Sequence, residues 1–497
     1  MFRDVVKGVA KNTSIMLLQQ VITWASTFLL MLFLPRHLGP VEYGKLFLAN
    51  AVVDIFRIFV AYGGNYVVAK NVAKDRANTG QILVDAAAFR TILAGIGIIA
   101  LVAFTYAIDY PVDVRNIIFV MGINLFWQGI ITPLYAAYQG HEMLQYTSAG
   151  AVAERVFVSV VAIAALFMGA NTWIIALIIV LGNLANFVVL AVYIKKITTV
   201  FPRVDWQEAM SQIKSGIPYF LFAVFSTIYY RIDSLMLSKM SPGEIVGWYG
   251  GAFRLFDVLG FFPYILTIAL FPVLSRLWKD SNETHKRTTQ KSLEIVIMLG
   301  VLIGIGVFTY ADKLVGMFYG LKAYEPSVLI LQILTCGLLF LYVDMMLATM
   351  LMASEKQKQF SIVSLVAIPL KLALNYFLIR HFQSESGNGG IGAAIATALT
   401  ELGIMVAALS ITPKGVLHGF RVDVIWKTLL AGAVVVVTIW GLHSIGLNWI
   451  LEVIVVSSVF LFVLLSTRAF EPAEETLIRS LITVDGWRKT LDMLRKN

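Results

Sequence analysis

Hydrophobic residues gather in fourteen long runs along the chain, and short polar connections separate them. A helix of about twenty residues crosses a hydrocarbon core of roughly 30 Å, and each run approaches that length. The runs occupy residues 14–34, 45–68, 83–108, 116–138, 147–168, 172–194, 216–237, 247–271, 293–310, 328–352, 359–380, 391–411, 425–446 and 448–467. The pattern therefore predicts an all-α, polytopic membrane protein with about fourteen transmembrane helices.

Lysine and arginine are unevenly divided between the two sets of connections. One set collects Arg3, Lys7, Lys11, Lys70, Lys74, Arg76, Lys195, Lys196, Arg203, Lys214, Arg276, Lys279, Lys286, Arg287, Lys291, Lys356, Lys358, Lys414, Arg421 and Lys427. The other set holds only Arg36, Lys45, Arg115, Lys239, Lys313, Lys322 and Arg380. Connections rich in lysine and arginine face the cytoplasm, so we assign the first set to that side. We therefore expect both termini in the cytoplasm and the protein in the cell membrane. The ends, 1–13 and 471–497, mix basic and apolar residues, and we expect them to lie on the inner surface.

The chain carries an internal repeat. A shift of 203 residues equates Leu34, Arg36, Gly44, Ala49 and Asp54 with Leu237, Lys239, Gly247, Ala252 and Asp257. Six runs precede residue 200 and six more end at 411, so both halves enter the membrane from the same side. We therefore predict two six-helix lobes, 1–200 and 201–411, then two extra helices within 412–470 and an amphipathic cytoplasmic tail, 471–497.

The composition, 59% apolar and 14% charged with a mean hydropathy of +0.80, excludes a soluble protein, because too few polar residues exist to cover its surface. The net charge of +9 follows the membrane connections, so we expect no nucleic-acid partner. One cysteine, Cys336, and six scattered histidines supply no disulfide and no metal-ligand pattern. The sequence lacks a Gly-x-x-x-x-Gly-Lys-Ser/Thr phosphate loop and a long extramembrane segment. We expect neither an enzyme nor a cofactor.

Three motifs carry a resemblance to a known family. Residues 34–44 read LPRHLGPVEYG, residues 230–234 read YRIDS with VGWY at 246–249, and residues 388–396 read NGGIGAAIA. In this order they resemble the polysaccharide flippases of the multidrug/oligosaccharidyl-lipid/polysaccharide (MOP) exporter superfamily, over roughly residues 10 to 411. The resemblance implies a MATE-like fold and movement of an undecaprenyl- or dolichyl-linked sugar repeat unit to the outer leaflet. It also implies work alongside a polysaccharide polymerase or glycosyltransferases.

Two other transport functions of the same superfamily stay open. Drug exporters of the superfamily usually have twelve helices, so the extra helix pair favours the sugar branch. A multidrug or cation exporter would need uncompensated carboxylates in its cavity, whereas arginine and lysine are at least as prominent in these spans. A lipid II flippase is a close relative that the motifs do not separate from a polysaccharide flippase.

Charged residues within the predicted spans mark candidate sites, because each costs about 2.5–3.5 kcal/mol to insert. Four cations are candidates for binding an anionic pyrophosphate, since guanidinium groups pair bidentately with phosphate oxygens and an ammonium adds a point charge. They are Arg57, Arg231, Arg254 and Lys371. No carboxylate lies at helical spacing from Lys371, which makes it the least locally compensated of the four.

The carboxylates in the spans have two interpretations. Asp54 with Arg57, and Asp257 with Arg254, are three residues apart and share a helix face, so each pair can neutralise itself. These two aspartates either line the cavity, where they are candidates for ion coupling, or form structural salt bridges. Asp344 and Glu401 are either carriers of a coupling proton or sodium ion, or partners of a basic residue; we favour partners. Asp85 and Arg90 lie near the inner end of their span, where a long side chain can reach the surface.

Overall fold

The computed structural model describes residues 2–62, 65–472 and 474–475. Within these ranges the side chains of 2–14, 17, 66, 211–219 and 221–223 are outside the description. Most of the predicted tail, 471–497, and the side chains of the predicted surface segment, 1–13, therefore lie outside the described residues. Both stay predictions.

In the described part of the chain, nineteen α-helices follow one another. They are α1 (Phe2–Ala61), α2 (Asn65–Lys74), α3 (Thr79–Ala107), α4 (Val112–Gly122), α5 (Asn124–Gly140), α6 (Leu144–Phe167), α7 (Thr172–Val192), α8 (Trp206–Met240), α9 (Gly243–Leu259), α10 (Phe261–Asp280), α11 (Asn282–Thr309), α12 (Ala311–Tyr319), α13 (Leu321–Tyr324), α14 (Pro326–Cys336), α15 (Leu338–Ala353), α16 (Gln357–Ser386), α17 (Gly389–Ile411), α18 (Val422–Ser444) and α19 (Trp449–Ser466). The predicted all-α fold class is confirmed.

Ten helical segments of the described chain are long and apolar enough to cross a membrane, and eleven if the pair α14 and α15, bent by 40°, is one span. The remaining predicted spans fall within α1, α2 and α8. In lipid every backbone polar group needs an internal partner, and a helix provides one for each. The total of fourteen spans stays a prediction.

Helix α1 joins two predicted spans where the sequence predicts a connection. Its only non-helical backbone is at Gly39, with φ of 74° and ψ of 169°. Glycine adopts this positive φ without a Cβ penalty, and Pro40 follows without an N–H group to continue the hydrogen-bond ladder. The first two predicted spans therefore meet at a kink.

Two helices begin well before their apolar runs. Asp205 caps α8 by accepting hydrogen bonds from the backbone N–H groups of Gln207 and Glu208. Ser281 caps α11 in the same way through the N–H of Thr284. A capped polar first turn is stable in water, so these helices extend beyond the apolar segment that the sequence pattern detects.

The chain divides into two compact units. The first unit comprises Met1–Leu255, Asp312–Ile330 and Ser364–Thr400, and the second comprises Phe256–Ala311, Leu331–Val363 and Glu401–Asn497. The predicted lobes, bounded at residues 200 and 411, are a different division, and they stay a prediction.

Inside the first unit, α1 packs against α3, α6 and α8, and α6 packs against α7. Buried tyrosines in this unit have hydrogen-bond acceptors. Tyr319 donates to the carbonyl oxygen of Gly251 at 3.0 Å, and Tyr324 donates to that of Pro35 at 3.1 Å. These bonds satisfy hydroxyl groups that find no water in an apolar interior.

Inside the second unit, α11 packs against α15 and α18, and α18 packs against α19. Its apolar core includes Val301, Ala431, Val435, Val456 and Phe460. These aliphatic and aromatic side chains supply packing contacts, on which the association of helices in lipid depends.

Glycines allow α1 and α9 to approach closely within the first unit. A Cβ added to Gly247 would overlap the carbonyl oxygen of Pro40. A Cβ added to Gly44 would lie 2.6 Å from the carbonyl oxygen of Gly243. The shift of 203 residues equates Gly44 with Gly247 and Pro40 with Gly243, so these two contacts are reciprocal. Reciprocal contacts are typical of two elements related by a two-fold axis.

Candidate functional site

One aspartate lies between two arginines where α1 packs against α8. Asp54 Oδ1 is 3.1 Å from an Nη atom of Arg57, and Asp54 Oδ2 is 2.6 Å from an Nη atom of Arg231. The first contact is the predicted pairing of residues three apart on one helix, and it is confirmed. The second joins residues 177 positions apart in the sequence.

This group, which we call the Asp54 cluster (Asp54, Arg57 and Arg231), has a net positive charge. Two guanidinium groups face one carboxylate, which leaves an excess of one positive charge. The side chain of Arg57 is 50% exposed and that of Arg231 is 28% exposed, whereas Asp54 is 15% exposed. Each guanidinium has five N–H donors, and the aspartate accepts only some of them. The cluster can therefore bind an anion that has several oxygen atoms.

A second ion pair in the first unit is fully buried. Lys371 Nζ lies 2.8 Å from Asp233 Oδ2, with side-chain exposures of 2% and 1%. The same carboxylate accepts hydrogen bonds from Asn375 at 2.6 Å, from Tyr249 at 3.0 Å and from Thr397 at 3.0 Å. Helices α8, α9, α16 and α17 each contribute to this group, so it holds four helices together.

Lys371 has no carboxylate at helical spacing along α16, but the structure supplies one from elsewhere. Its carboxylate partner, Asp233, comes from another helix, and spacing along α16 could not reveal it. The ammonium also donates to the carbonyl oxygen of Tyr229 at 3.1 Å and lies 4.2 Å from the centre of the Tyr229 ring. We therefore remove Lys371 from the candidate anion site.

Arg254 and Asp257 do not form the predicted pair. Arg254 is half-buried on α9 and forms no ion pair with a described residue. It lies near the buried tyrosines Tyr43 and Tyr319. Asp257 is exposed, and it too forms no ion pair with a described residue. Spacing allows a pair of this kind, but an exposed ion pair gains little energy. Arg254 stays a candidate cation.

Asp344 and Glu401 are both buried in the second unit, with exposures of 9% and 5%. They are close enough to interact electrostatically. Asp344 has no basic partner among the described residues, and its Oδ1 atom has no hydrogen-bond partner there. The described residues thus provide no support for the interpretation of Asp344 as the partner of a basic residue. A role in ion coupling stays a prediction.

Arg90 is a buried cation, although its position near the end of a predicted span led us to expect that its side chain reaches the membrane surface. Its side chain is 0% exposed. One Nη atom donates to Asn65 Oδ1 at 2.7 Å and to Thr132 Oγ1 at 2.6 Å, and the guanidinium lies 5.0 Å from the centre of the Tyr62 ring. Asn65 belongs to α2, Thr132 belongs to α5 and Tyr62 follows α1, so the spacing along α3 gives no sign of these neutral partners.

Two family models match the chain. The model described as "Polysaccharide biosynthesis protein" matches residues 9–278, which is more than half of the sequence. The chain belongs to the polysaccharide flippase family. A second model, described as "MatE", matches residues 218–377 and connects this flippase to the wider MOP superfamily. The resemblance drawn from the three motifs is confirmed.

Relatives from an archaeon and a bacterium match most of the flippase. A protein of Haloferax volcanii named "Probable low-salt glycan biosynthesis flippase Agl15" is 22% identical over 466 residues, covering 92% of this chain and 94% of the relative. The capsular polysaccharide biosynthesis protein CapF of Staphylococcus aureus is 20% identical over 406 residues, covering 80% and 97%. The flippase is thus similar to both relatives over nearly their whole length.

Solved structures of two transporters share the fold of the flippase. The lipid II flippase MurJ, in an inward closed conformation, has a TM-score of 0.71 at 13% identity, covering 91% of this chain and 98% of that one. An inward-facing multidrug MATE transporter of the MOP superfamily has a TM-score of 0.61 at 15% identity, covering 82% and 94%. Such low identities show the fold alone.

Proposed function

We propose that this flippase moves a polyprenyl-pyrophosphate-linked oligosaccharide repeat unit from the inner to the outer leaflet for surface polysaccharide synthesis. The observation that carries the proposal is the Asp54 cluster, a positively charged and partly exposed group within the apolar part of the chain. Charged groups in such positions usually serve the transported substrate. The names of the relatives from Haloferax volcanii and Staphylococcus aureus point to the same class of substrate.

The pyrophosphate matches the Asp54 cluster in charge and in geometry. Its oxygen atoms can accept pairs of parallel hydrogen bonds from guanidinium groups, which is the strongest arrangement available to arginine. Arg57 is half exposed and is the first contact we expect an entering anion to make. Asp54 holds both arginines in place before the substrate arrives.

The mechanism we propose is alternating access. The oligosaccharide and pyrophosphate cross in a polar cavity while the polyprenyl chain stays in the bilayer. An inside-negative potential favours outward movement of an anion by about 2.3 kcal/mol per charge per 100 mV. A proton or sodium gradient, acting at Asp344 or Glu401, is a second source of energy. We further propose a cell-membrane location with both termini in the cytoplasm, and a polymerase or glycosyltransferases as partners.

A multidrug or cation exporter of the same fold would present a carboxylate to its substrate. In this chain Asp54 instead binds two guanidinium groups, which leaves it little capacity for a cationic ligand. A lipid II flippase would also bind a pyrophosphate. Supplying lipid II and a lipid-linked oligosaccharide in turn to the purified protein distinguishes the two functions.

The test is polysaccharide export in a strain that lacks its own flippase. We expect Arg57→Ala and Arg231→Ala to lower surface polysaccharide about tenfold, the effect of losing one charge-assisted hydrogen bond. Arg57→Lys keeps the charge without the bidentate geometry and should retain part of the export. The amount of each variant in the membrane is measured alongside.

Arg76→Ala is the matched control. Arg76 is 51% exposed and pairs with Glu142 at 2.8 Å, so it resembles Arg57 in exposure and in having a carboxylate partner. It lies in a connection outside the Asp54 cluster, and we expect export to be unchanged. Normal export by Arg57→Ala and Arg231→Ala, at normal protein levels, would show that the cluster does not bind the substrate.

A further inference from the structure

Two tyrosines connect the two halves of the internal repeat. Tyr110, which follows α3, has its hydroxyl oxygen 3.2 Å from Ser238 Oγ near the end of α8. Tyr324, on α13, donates to the carbonyl oxygen of Pro35 in α1 at 3.1 Å. The shift of 203 residues equates Pro35 with Ser238. A shift of 214 residues equates Tyr110 with Tyr324, and α4 with α14, so the two contacts are reciprocal.

Two basic residues make a second pair of reciprocal contacts. Arg36 donates through an Nη atom to the carbonyl oxygens of Gly316 and Met317, at 3.3 and 3.4 Å. Lys239, which the shift of 203 residues equates with Arg36, donates through Nζ to the carbonyl oxygen of Asp109 at 3.3 Å. Each basic residue therefore contacts the same connection of the opposite half that supplies the tyrosine.

All of these reciprocal contacts lie on one side of the membrane in the predicted topology. They join the connections 35–44, 109–115, 238–246 and 312–327, which belong to the set that is poor in lysine and arginine. This set is the one predicted to face outside. The residues that make the contacts all belong to the first unit. The two halves of the repeat are therefore joined at the ends of their helices that we expect to face outside.

The contacts inside one half are stronger at this end than the contacts between the halves. Within the first half, Lys45 forms an ion pair with Asp113 at 2.6 Å, which joins α1 to α4, and Thr172 donates to Glu42 at 2.5 Å, which joins α1 to α7. The contacts between the halves instead use neutral carbonyl and hydroxyl oxygen atoms, and their two basic side chains are exposed. Water can take over such hydrogen bonds when the halves separate. Two firm bodies with a breakable interface are suited to rigid-body movement.

We propose that the reciprocal contacts of Arg36, Lys239, Tyr110 and Tyr324 form an outer gate, which is closed in this structure and opens to release the oligosaccharide outside. This inference rests on the proposed function, because an outer gate serves a transporter that works by alternating access. The contacts occur in equivalent pairs, so the loss of one member leaves the gate held by the other. The gate opens fully only when both members of each pair are broken.

Distances between spin labels on the outer connections test the gate without any substrate. The labels are placed at Val112 and Leu321, which are 61% and 42% exposed and belong to opposite halves. The full chain, with Cys336→Ser, is studied in lipid nanodiscs by pulsed electron paramagnetic resonance. In the double variant Arg36→Gln, Lys239→Gln we expect a second, longer distance, with the ratio of open to closed molecules raised about tenfold.

The double variant Arg115→Gln, Lys313→Gln is the matched control, because it also removes two positive charges from the outer connections. Arg115 lies 4.5 Å from the centre of the Tyr106 ring in its own half, and Lys313 pairs with the adjacent Asp312 at 3.1 Å. We expect the label distances of this control to equal those of the wild type. Equal opening by the control would overturn the inference, because loss of charge rather than loss of the reciprocal contacts would then separate the halves.

The double variant Tyr110→Phe, Tyr324→Phe provides a second test that removes only two hydroxyl groups. It keeps the rings in place, so the protein should fold and insert normally, and the fraction of open molecules should rise. Combined with Arg36→Gln and Lys239→Gln, it should raise that fraction further. A combined variant that shows only the wild-type distance would contradict the gate.

Cross-linking tests whether the gate has to open during transport. Tyr110→Cys and Ser238→Cys are joined by a short, reversible bis-methanethiosulfonate in the chain that carries Cys336→Ser. We expect the cross-link to stop movement of a fluorescent polyprenyl-pyrophosphate oligosaccharide in proteoliposomes, and a reductant to restore it. The same reagent joining Lys45→Cys to Asp113→Cys within the first half should leave the rate unchanged. Full transport after complete cross-linking between the halves would overturn the inference.

The gate and the proposed function can fail separately. Arg57→Ala should lower export and leave the label distances as they are in the wild type, because Arg57 makes none of the reciprocal contacts. If the wild type does not move the oligosaccharide lipid, the proposed function fails, and the label distances still decide the gate. If the label distances do not respond to loss of the contacts, the gate fails and the proposed function stands.

Discussion

Asp233 and Lys371 form an ion pair whose two side chains are buried, with exposures of 1% and 2%. Lys371→Ala leaves the Asp233 carboxylate buried without a counter-charge, which usually costs about 3–5 kcal/mol. We expect this variant to be nearly absent from the membrane. The double variant Asp233→Asn, Lys371→Met removes both charges but keeps an amide oxygen as an acceptor for Tyr249 and Thr397, and it should restore much of the protein level.

Lys358→Ala is a suitable control, because Lys358 is an exposed residue on the same helix. Protein level is measured by quantitative immunoblotting of membranes. A Lys371→Ala variant that accumulates normally but exports nothing would contradict the structural role and return Lys371 to the substrate site.

Glu471 supplies a pH-dependent contact outside the membrane. Its carboxylate lies 2.7 Å from an Nη atom of Arg287 and 3.1 Å from Nζ of Lys291. Hydrogen bonds from Arg287 and then from Lys291 lower the pKa of Glu471 below its usual 4.5. A lowered pKa stabilises the folded state above the pKa of the unfolded carboxyl, and this stabilisation is lost as the pH falls through the lowered value.

We therefore expect Glu471→Gln to melt at a lower temperature than the wild type at pH 7. The difference should shrink as the pH falls below about 4.5, the usual pKa of the group, and should disappear once the folded-state carboxyl is protonated. Thermal unfolding of the detergent-solubilised protein across this pH range measures it. A difference that is constant from pH 7 to the most acidic sample would mean that the charge of Glu471 is not responsible.

Contacts within one helix were predictable from the sequence, whereas contacts between distant helices were not. The contact of Asp54 with Arg57 was predictable, because helical spacing alone brings the two side chains together. The partners of Lys371 and Arg231 were not, because each comes from a distant helix, and no pattern along one helix identifies its neighbour. The burial of Arg90 was hidden for the same reason.

Among the helices, α1 and α9 depend on two glycines for their close approach. Gly247→Ala would drive a Cβ into the backbone of Pro40, which neither helix can relieve by moving a side chain. Overpacking of this kind costs about 1–3 kcal/mol or more, and we expect a strong loss of folded protein. Gly243→Ala is the control on the same helix, since a Cβ there meets nothing within 4 Å.

The measurement is the yield of monodisperse protein after detergent extraction. A yield for Gly247→Ala equal to that of Gly243→Ala would show that the two helices are not held as closely as the structure has them.

Most helices were predictable because an apolar run of about twenty residues is a strong signal. The ends of the helices were less predictable. The polar first turns of α8 and α11 are helical because of Asp205 and Ser281, whose capping bonds a hydropathy pattern does not register. The kink at Gly39 was likewise invisible to hydropathy, although the sequence Gly39-Pro40 marks it.

On the scale of the whole molecule, the basic connections predict which loops face the cytoplasm. A reporter fused at His285, where α11 begins, should read as cytoplasmic, and one at Gly387, between α16 and α17, should read as external. An alkaline phosphatase fusion is active only outside and a fluorescent protein fusion only inside. Cytoplasmic signal at Gly387 would contradict both the span count and the orientation.

The fold was predictable as a class from the apolar runs and the motifs, whereas the internal repeat is supported only locally. The reciprocal contacts of Gly44 and Gly247 suit a two-fold relation between α1 and α9. A two-fold relation between the two complete lobes, each of six predicted spans, stays a prediction.

Transport of a defined lipid by the purified flippase tests the central claim most directly. Proteoliposomes are loaded with a fluorescent polyprenyl-pyrophosphate oligosaccharide, and quenching from outside reports its movement between leaflets. The account predicts that the wild type speeds this movement over empty liposomes, and that Arg57→Glu with Arg231→Glu abolishes it while Arg76→Ala does not. It also predicts little movement of the same glycan on an uncharged lipid. Equal movement of the charged and uncharged lipids, or full activity of the double charge reversal, would contradict the claim that the Asp54 cluster binds the pyrophosphate during transport.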